Sequence, residues 1–318
     1  MVVVTHHADH LVEACLRSIR TQDRQPDAVV VVVSNTPRDV SLQGLPGRVL
    51  QLGQNVAYAR AVHAGADAFP GYHLLVLNDD TWLAPGCIAS LAAAWSGPAV
   101  YLPCIWLADG SGRIDNLGHG FFPDGAVWAR GRAGTQVPDG VPGGLSGAAV
   151  LIARPIWDEL RGFDLRLESF GEDVDFSLRL LRRALRLVAV PTAGVYHHLG
   201  ATHGRDSTVK VKNIEKNRVR AAVRSLPATA LLTLPLWTAG RYGLYWVLAR
   251  RGRGPALKLP PGLGRAALAG LFLGLVEAPQ WWQERVLERE SWERGELDMW
   301  RELWRGRVAW EDLCRSPW

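Results

Sequence analysis

Three short motifs in this chain carry side chains that can act together. Leu77-Asn78-Asp79-Asp80-Thr81 closes an apolar run, Gly171-Glu172-Asp173 stands well downstream, and Val195-Tyr196-His197-His198 follows it. Asp79 and Asp80 offer carboxylate oxygens to a hard cation such as Mg²⁺ or Mn²⁺. Mg²⁺ usually binds through one or two carboxylates plus substrate phosphates. A neutral imidazole at His197 can serve as a further ligand. One carboxylate of Glu172 and Asp173 can take a proton from a hydroxyl, and a helix start helps keep it ionised. The segment from Asn55 to Arg60 begins a helical pattern whose first amides, with Arg60, suit a phosphate. Together these groups describe a divalent metal and a diphosphate held beside a general base.

Each motif also has a plain structural reading. Asn78-Asp79-Asp80 serves equally as a turn after a strand. Glu172 and Asp173 serve as acids at a helix start, Asn55 as an ordinary helix cap, and His197 as a structural histidine. His197 and His198 point to opposite faces of a continuing strand, so one of them at most faces the site. The order of the motifs along the chain favours the chemical reading over four coincidences.

The elements that position these groups alternate. Residues 2–4, 28–33, 49–52 and 73–77 read as strands, and 9–22, 55–68 and 85–95 as helices. Residues 28–33 are apolar throughout, as a parallel strand covered on both faces should be. This order predicts a mostly parallel sheet with helices on both faces, and ligands bind beyond the carboxyl ends of such strands. Residues 99–141 are rich in Gly and Pro, with short strands expected at 114–120 and 126–129. A small-residue strand is expected at 146–153, a helical turn at 155–160 and strand segments at 187–190 and 194–198. Residues 172–185 form an amphipathic helix with Val174, Leu178, Leu181 and Leu185 on one stripe.

The composition, 48% hydrophobic and 21% charged with net charge +5, permits a large core and argues against wholesale disorder. Cys15, Cys87, Cys104 and Cys314 show no pairing or metal spacing and read as reduced thiols of a cytoplasmic protein. The chain opens directly in a strand, with no signal peptide.

At this point the motifs resemble those of the inverting family 2 glycosyltransferases of the GT-A fold, close to the bacterial rhamnosyltransferase-like branch. Thr5-His6-His7 stands where that family often ends its first strand. Asn55 to Gly65, Leu77 to Thr81, Ser146-Gly147-Ala148, Gly162-Phe163-Asp164 before Gly171-Glu172-Asp173, and Val195 to His198 follow in the family's order, across residues 1–224. The resemblance implies a GT-A catalytic domain over residues 1–208 and a C-terminal helical region over 209–318. It implies Asp173 as catalytic base, with Glu172 contacting the acceptor or orienting the loop. Asp80 and His197 would hold Mn²⁺ or Mg²⁺. Thr5, Ser34, Asn55, Arg60, Asn78 and Asp79 would line the nucleotide sugar, and Ser146 and Gly147 the acceptor. The donor would be a nucleotide-diphosphate sugar, carrying rhamnose or another hexose, and the acceptor lipid-linked or a polysaccharide. Three positions depart from the family: Ser34 replaces a common Asp, Ala57 a Gly, and Asn78 the first acid of the metal motif. Ser34 and Ala57 motivate a rival reading, a nucleotide-sugar-binding protein without turnover. A nucleotidyltransferase lacks support, because no Gly-rich loop with Arg and Lys lies near the first strand.

The C-terminal region adds a charge pattern. Lys210, Lys212, Lys216, Arg218, Arg220, Arg224, Arg241, Arg250, Arg251 and Arg253 face a single acid, Glu215, between residues 209 and 253. Such a stretch suits a phosphate-rich partner. Residues 226–249 are apolar but interrupted by Pro227, Pro235 and Arg241, and residues 263–276 are too few for a span of ~20. The expectation is docking of residues 210–282 on the anionic inner face of the cell membrane, steered by these basic residues and reversed by salt. A homodimer interface is the alternative, and no nucleic-acid partner is expected.

Overall fold

The computed structural model describes residues 1–6, 10–198, 207–251, 262–309 and 312. His7, Asp9, Arg253 and Cys314, used above, lie outside the described residues. The strands are β1 (Val2–Thr5), β2 (Val29–Val33), β3 (Gly47–Gln51), β4 (Leu74–Asn78), β5 (Thr81–Leu83), β6 (Val100–Leu107), β7 (Ile114–Asn116), β8 (His119–Phe121), β9 (Val127–Ala129), β10 (Ala149–Ile152) and β11 (Leu187–His197). The helices are α1 (His10–Arg20), α2 (Tyr58–Ala68), α3 (Cys87–Ala93), α4 (Arg154–Glu159), α5 (Glu172–Arg182), α6 (Thr208–Ser225), α7 (Ala228–Arg250), α8 (Leu263–Val276), α9 (Ala278–Glu288) and α10 (Glu296–Arg305).

The main sheet runs β3-β2-β1-β4-β10-β6-β11-β5, with β7 on β6. β1, β2, β3 and β4 are mutually parallel, as are β6 and β11. β10 enters antiparallel between β4 and β6. Its reversal interrupts the parallel order of the mostly parallel sheet, and it matters for the site. A reversed strand begins at the edge where its neighbours end, so residues 146–148 arrive beside Asn78. The all-valine β2 is fully buried, because helices cover both faces of the sheet. One core holds Val2, Val4, Val62, Val150, Phe176 and Leu180. The other holds Val3, Leu16, Ile19, Leu77, Tyr101 and Val195.

α5 buries both of its faces. Phe176 and Leu180 pack toward the sheet, whereas the Val174, Leu178 and Leu181 stripe packs on Ala222 of α6, Leu226 just after it, Ala230 and Leu234 of α7, and Met299 of α10. The amphipathic stripe therefore faces the C-terminal helices. Residues 187–197 form one strand with a register irregularity between Val190 and Gly194, where two segments were expected. The described cysteines, Cys15, Cys87 and Cys104, are buried free thiols.

The arginines expected to face a membrane are mostly turned inward. Arg218, Arg220, Arg224 and Arg241 are all buried. Arg218 pairs with Glu215 at 2.8 Å, and Arg241 with Asp124 at 2.9 Å and Glu215 at 3.0 Å. Arg224 meets Asp164 at 2.9 Å and Asp175 at 3.1 Å, and also pairs with Glu288. Arg220 pairs with Glu277. Buried guanidinium groups need such partners because desolvation of an unpaired charge is costly. The sequence count showed one acid against ten bases; acids from distant segments close the balance.

Candidate functional site

The site forms where β1 and β4 end. The Asp79 amide donates to the Val4 carbonyl at 3.2 Å, and the buried Thr5 hydroxyl donates to Asp79 Oδ2 at 2.6 Å. Asp79 is thus held from beneath, and Thr5 reaches the site through it. Asp80 turns the other way. β5 pairs antiparallel with β11, His197 opposite Thr81, and His197 Nε2 lies 3.4 Å from Asp80 Oδ1. The His198 amide donates to the Asp80 carbonyl at 2.8 Å, while the His198 side chain is exposed. His197 Nδ1 lies 2.8 Å from Asp115 Oδ2 on β7, and Arg132 stands 3.5 Å from the other oxygen of Asp115. Burial lowers the His197 pKa, but hydrogen bonds to Asp115 and Asp80 outweigh it and push it up to about 9.

The acidic pair of α5 meets the same edge from the side. Asp173 Oδ2 accepts the Gly147 amide at 3.2 Å, and Oδ1 accepts the Val174 amide at 2.8 Å. The Tyr58 hydroxyl donates to the Gly147 carbonyl at 2.7 Å. Burial first, then Glu172, Asp173, Asp80 and Asp79, raise the Tyr58 pKa, so this phenol lies within electrostatic reach of both acidic motifs. Ser146 is half-buried, and its Oγ accepts the Ala148 amide at 3.4 Å. The loop before α5 holds Glu168 at φ 61° and Phe170 at φ 68°, costly for residues with a Cβ, and Gly171 at φ 102°, which glycine adopts freely. A Cβ on Gly171 would also sit 3.0 Å from Asn217 Cβ. Asn217 of α6 clamps this loop, its Nδ2 donating to the carbonyls of Leu167 at 2.8 Å and Phe170 at 2.6 Å.

Glu172 behaves differently from its neighbour. It is buried, and its Oε2 has no hydrogen-bond partner among the described residues. Burial and then the Asp173 charge push its pKa from 4.5 up to about 8. At Glu172 desolvation outweighs a helix-dipole effect of roughly 0.3–1 kcal/mol. An acid with a raised folded pKa supports the fold fully below its unfolded pKa. That support is lost as pH rises through the folded value, here between about 4.5 and about 8. Glu172→Gln cannot ionise and should therefore gain in melting temperature over the wild type at pH above 8 relative to pH below 5. A wild-type–variant difference that stays constant with pH would contradict this assignment.

The remaining sequence candidates are more dispersed. α2 begins at Tyr58, and the capping position is Ala57, which makes no side-chain cap. Asn55 is exposed in the preceding loop, so the expected Asn55 cap is not formed. Arg60 is exposed in the first turn of α2. Ser34 is buried; its amide donates to the Thr5 carbonyl at 2.9 Å, and His6 Nδ1 lies 3.3 Å from the Ser34 carbonyl. Sequence reasoning missed Tyr58, Asp115 and His119. His119 Nδ1 is buried without a hydrogen-bond partner among the described residues. Burial lowers its pKa, while Asp173 and Asp115 pull it up. A charged residue inside a short strand, as in Ile114-Asp115-Asn116, was the available signal.

The site fits a divalent cation in one respect. Asn78 Oδ1 is a buried acceptor without a hydrogen-bond donor among the described residues, and buried Asp80 Oδ1 has the His197 imidazole 3.4 Å away. No group of three or more His, Cys, Asp or Glu side chains that could hold a metal ion lies among the described residues.

Comparison with known proteins gives the same picture. Residues 1–154 match the family described as glycosyl transferase family 2. The chain is 29% identical over 239 residues to an N-acetylglucosaminyl-diphospho-decaprenol L-rhamnosyltransferase of Mycobacterium tuberculosis, covering 65% of this chain and 78% of that protein. It is 28% identical over 282 residues to the galactofuranosyltransferase GlfT1 of Mycolicibacterium smegmatis, covering 79% and 90%. In fold it is similar to GalNAc-T7, solved with UDP, GalNAc and Mn²⁺, at TM-score 0.58 and 17% identity. That likeness covers 73% of this chain and 48% of GalNAc-T7, so the chain spans about half of that neighbour.

Proposed function

We propose that this chain, whose residues 1–154 match glycosyl transferase family 2 and whose fold is similar to that of GT-A glycosyltransferases, moves one sugar, rhamnose or another hexose, from a nucleotide-diphosphate donor to a hydroxyl of a lipid-linked or polysaccharide acceptor. The observation that carries this reading is the Asp173 carboxylate. Each of its oxygens holds one backbone amide, from Gly147 and Val174, and the neighbouring Glu172 is largely protonated near neutral pH. Those two amides fix the Asp173 carboxylate beside the strand edge that carries Gly147, where a general base is needed. Asp173 takes the proton of the acceptor hydroxyl as that oxygen attacks the anomeric carbon. The bond from that carbon to the diphosphate breaks, the nucleoside diphosphate leaves, and the configuration inverts in one displacement.

Asp80 and His197 would hold a divalent metal, which when bound neutralises charge on the diphosphate. Asn78 and Asp79 would border the diphosphate, with Arg60 and Asn55 on its exposed side and Thr5 and Ser34 behind it. Ser146, Gly147 and Glu172 would line the acceptor. The catalytic domain is read as residues 1–208, with residues 209–318 as a helical region that works at the inner face of the cell membrane. The named substrate of the mycobacterial rhamnosyltransferase, a sugar on diphospho-decaprenol, supports a lipid-linked acceptor. The test is nucleotide release from a panel of sugar nucleotides with Mn²⁺, with and without a lipid-diphosphate sugar. Release that requires both one donor and the acceptor is expected. Binding of donor without release under any combination would instead favour a protein without turnover.

A further inference from the structure

The C-terminal helices are built inside out. Arg218, Arg220 and Arg224 of α6 and Arg241 of α7 are buried and ion-paired. The acids of α9 and of the residue before it turn toward these arginines and Arg166: Glu277 pairs with Arg220, Glu284 with Arg166 and Glu288 with Arg224. α8 packs its small residues on α6. A Cβ on Gly270 would collide with the Lys212 carbonyl, and one on Gly274 would lie 2.7 Å from Val219 Cβ. The opposite face of α8 presents Leu268 at 68% exposure, Phe272 at 67%, and Leu275 and Val276 at 59% each. On α7, Leu232 and Leu236 are 82% and 75% exposed. A surface helix of a water-soluble protein does the reverse, turning its large apolar side chains inward. Apolar surface out and ion pairs in is the arrangement that suits a lipid environment.

Charge indicates what covers this face. Residues 227–276 contain no Asp or Glu. Arg250, Arg251 and Arg265, on or beside α7 and α8, are exposed. A second copy of the chain would set like charge against like, whereas anionic headgroups bring the opposite sign. Trp237, Trp246 and Trp282 are also exposed, and tryptophan favours the headgroup level. No described helix is long and apolar enough to cross a membrane.

We propose that the outward faces of α7 and α8 lie in the surface of an anionic membrane, inserted through Leu232, Leu236, Leu268, Phe272, Leu275 and Val276. Insertion is apolar, and the buried α6 arginines take no part in it. α6 joins this face to the site, because Asn217 on the same helix clamps the loop that precedes Glu172. The inference stands apart from the reaction proposed above.

Flotation with phosphatidylcholine vesicles, with and without phosphatidylglycerol, tests it. The wild type should float with the anionic vesicles and stay largely bound in high salt, because salt screens charges and leaves apolar burial intact. The double variant Leu268→Glu/Phe272→Glu should bind roughly 10-fold or more weakly. Its melting temperature and its turnover on a water-soluble acceptor should match the wild type. Full release of the wild type by high salt, equal flotation of the variant, or no flotation together with a stable dimer in light scattering would each overturn the proposal. Turnover on the soluble acceptor reads the reaction separately, so a failed docking surface and a failed reaction assignment are told apart.

Discussion

Asp173→Asn should lower turnover by about 10²-fold or more while leaving donor affinity nearly unchanged. The substitution keeps the size of the side chain and removes the proton acceptor. Its amide nitrogen cannot accept one of the two backbone N–H groups from Gly147 and Val174, so a stability cost of about 1–3 kcal/mol accompanies it. Donor binding by calorimetry and a thermal melt, run beside the turnover assay, separate that cost from lost catalysis. A base that acts only as the hydroxyl attacks should depress kcat and kcat/KM together. Near-normal turnover in a folded variant would remove Asp173 from this role and leave Glu172, whose pKa is pushed up to about 8, as the remaining acid of the pair.

Removal of divalent metal should have an effect of similar size. Turnover should vanish in excess EDTA and return with Mn²⁺ or Mg²⁺, since charge neutralisation at a diphosphate is worth several kcal/mol. Asp80→Ala should cost roughly 10²-fold or more in donor binding or turnover, because it deletes the buried Asp80 carboxylate beside His197. His197→Ala should shift the Mn²⁺ titration to higher concentration, since it removes the imidazole 3.4 Å from Asp80 Oδ1. Nucleoside diphosphate binding by thermal shift, with and without Mn²⁺, provides a readout independent of turnover. Full wild-type activity in excess chelator would reject a metal-dependent site outright.

Much of the architecture was legible along the chain, because the signals involved are local. Apolar runs and helical stripes placed β1, β2, β4, α1, α5 and α8 within a few residues. The acids at residues 79–80 and 172–173 and the histidine at 197 were visible as residue types in order. Where reading stopped, the deciding contact was distant in sequence. The direction of β10 depends on pairing with β4 and β6, and nothing in a four-residue apolar strand encodes its direction. Asp115 lies 2.8 Å from His197 only because β7 folds back along β6. The Val174, Leu178 and Leu181 stripe indicated that α5 had a partner but not which one.

The sequence by itself determined the elements and the inventory of reactive groups, since propensity, periodicity and residue chemistry act over a few positions. Only the tertiary structure decided charge and protonation. Glu172 is an ordinary helix-start acid on paper and a desolvated one in the fold. The C-terminal arginines read as a solvated basic face and are instead buried against Asp124, Asp164, Asp175, Glu215, Glu277 and Glu288. Electrostatic energy depends on separation through space and on exclusion of water, and neither is a property of position along a chain.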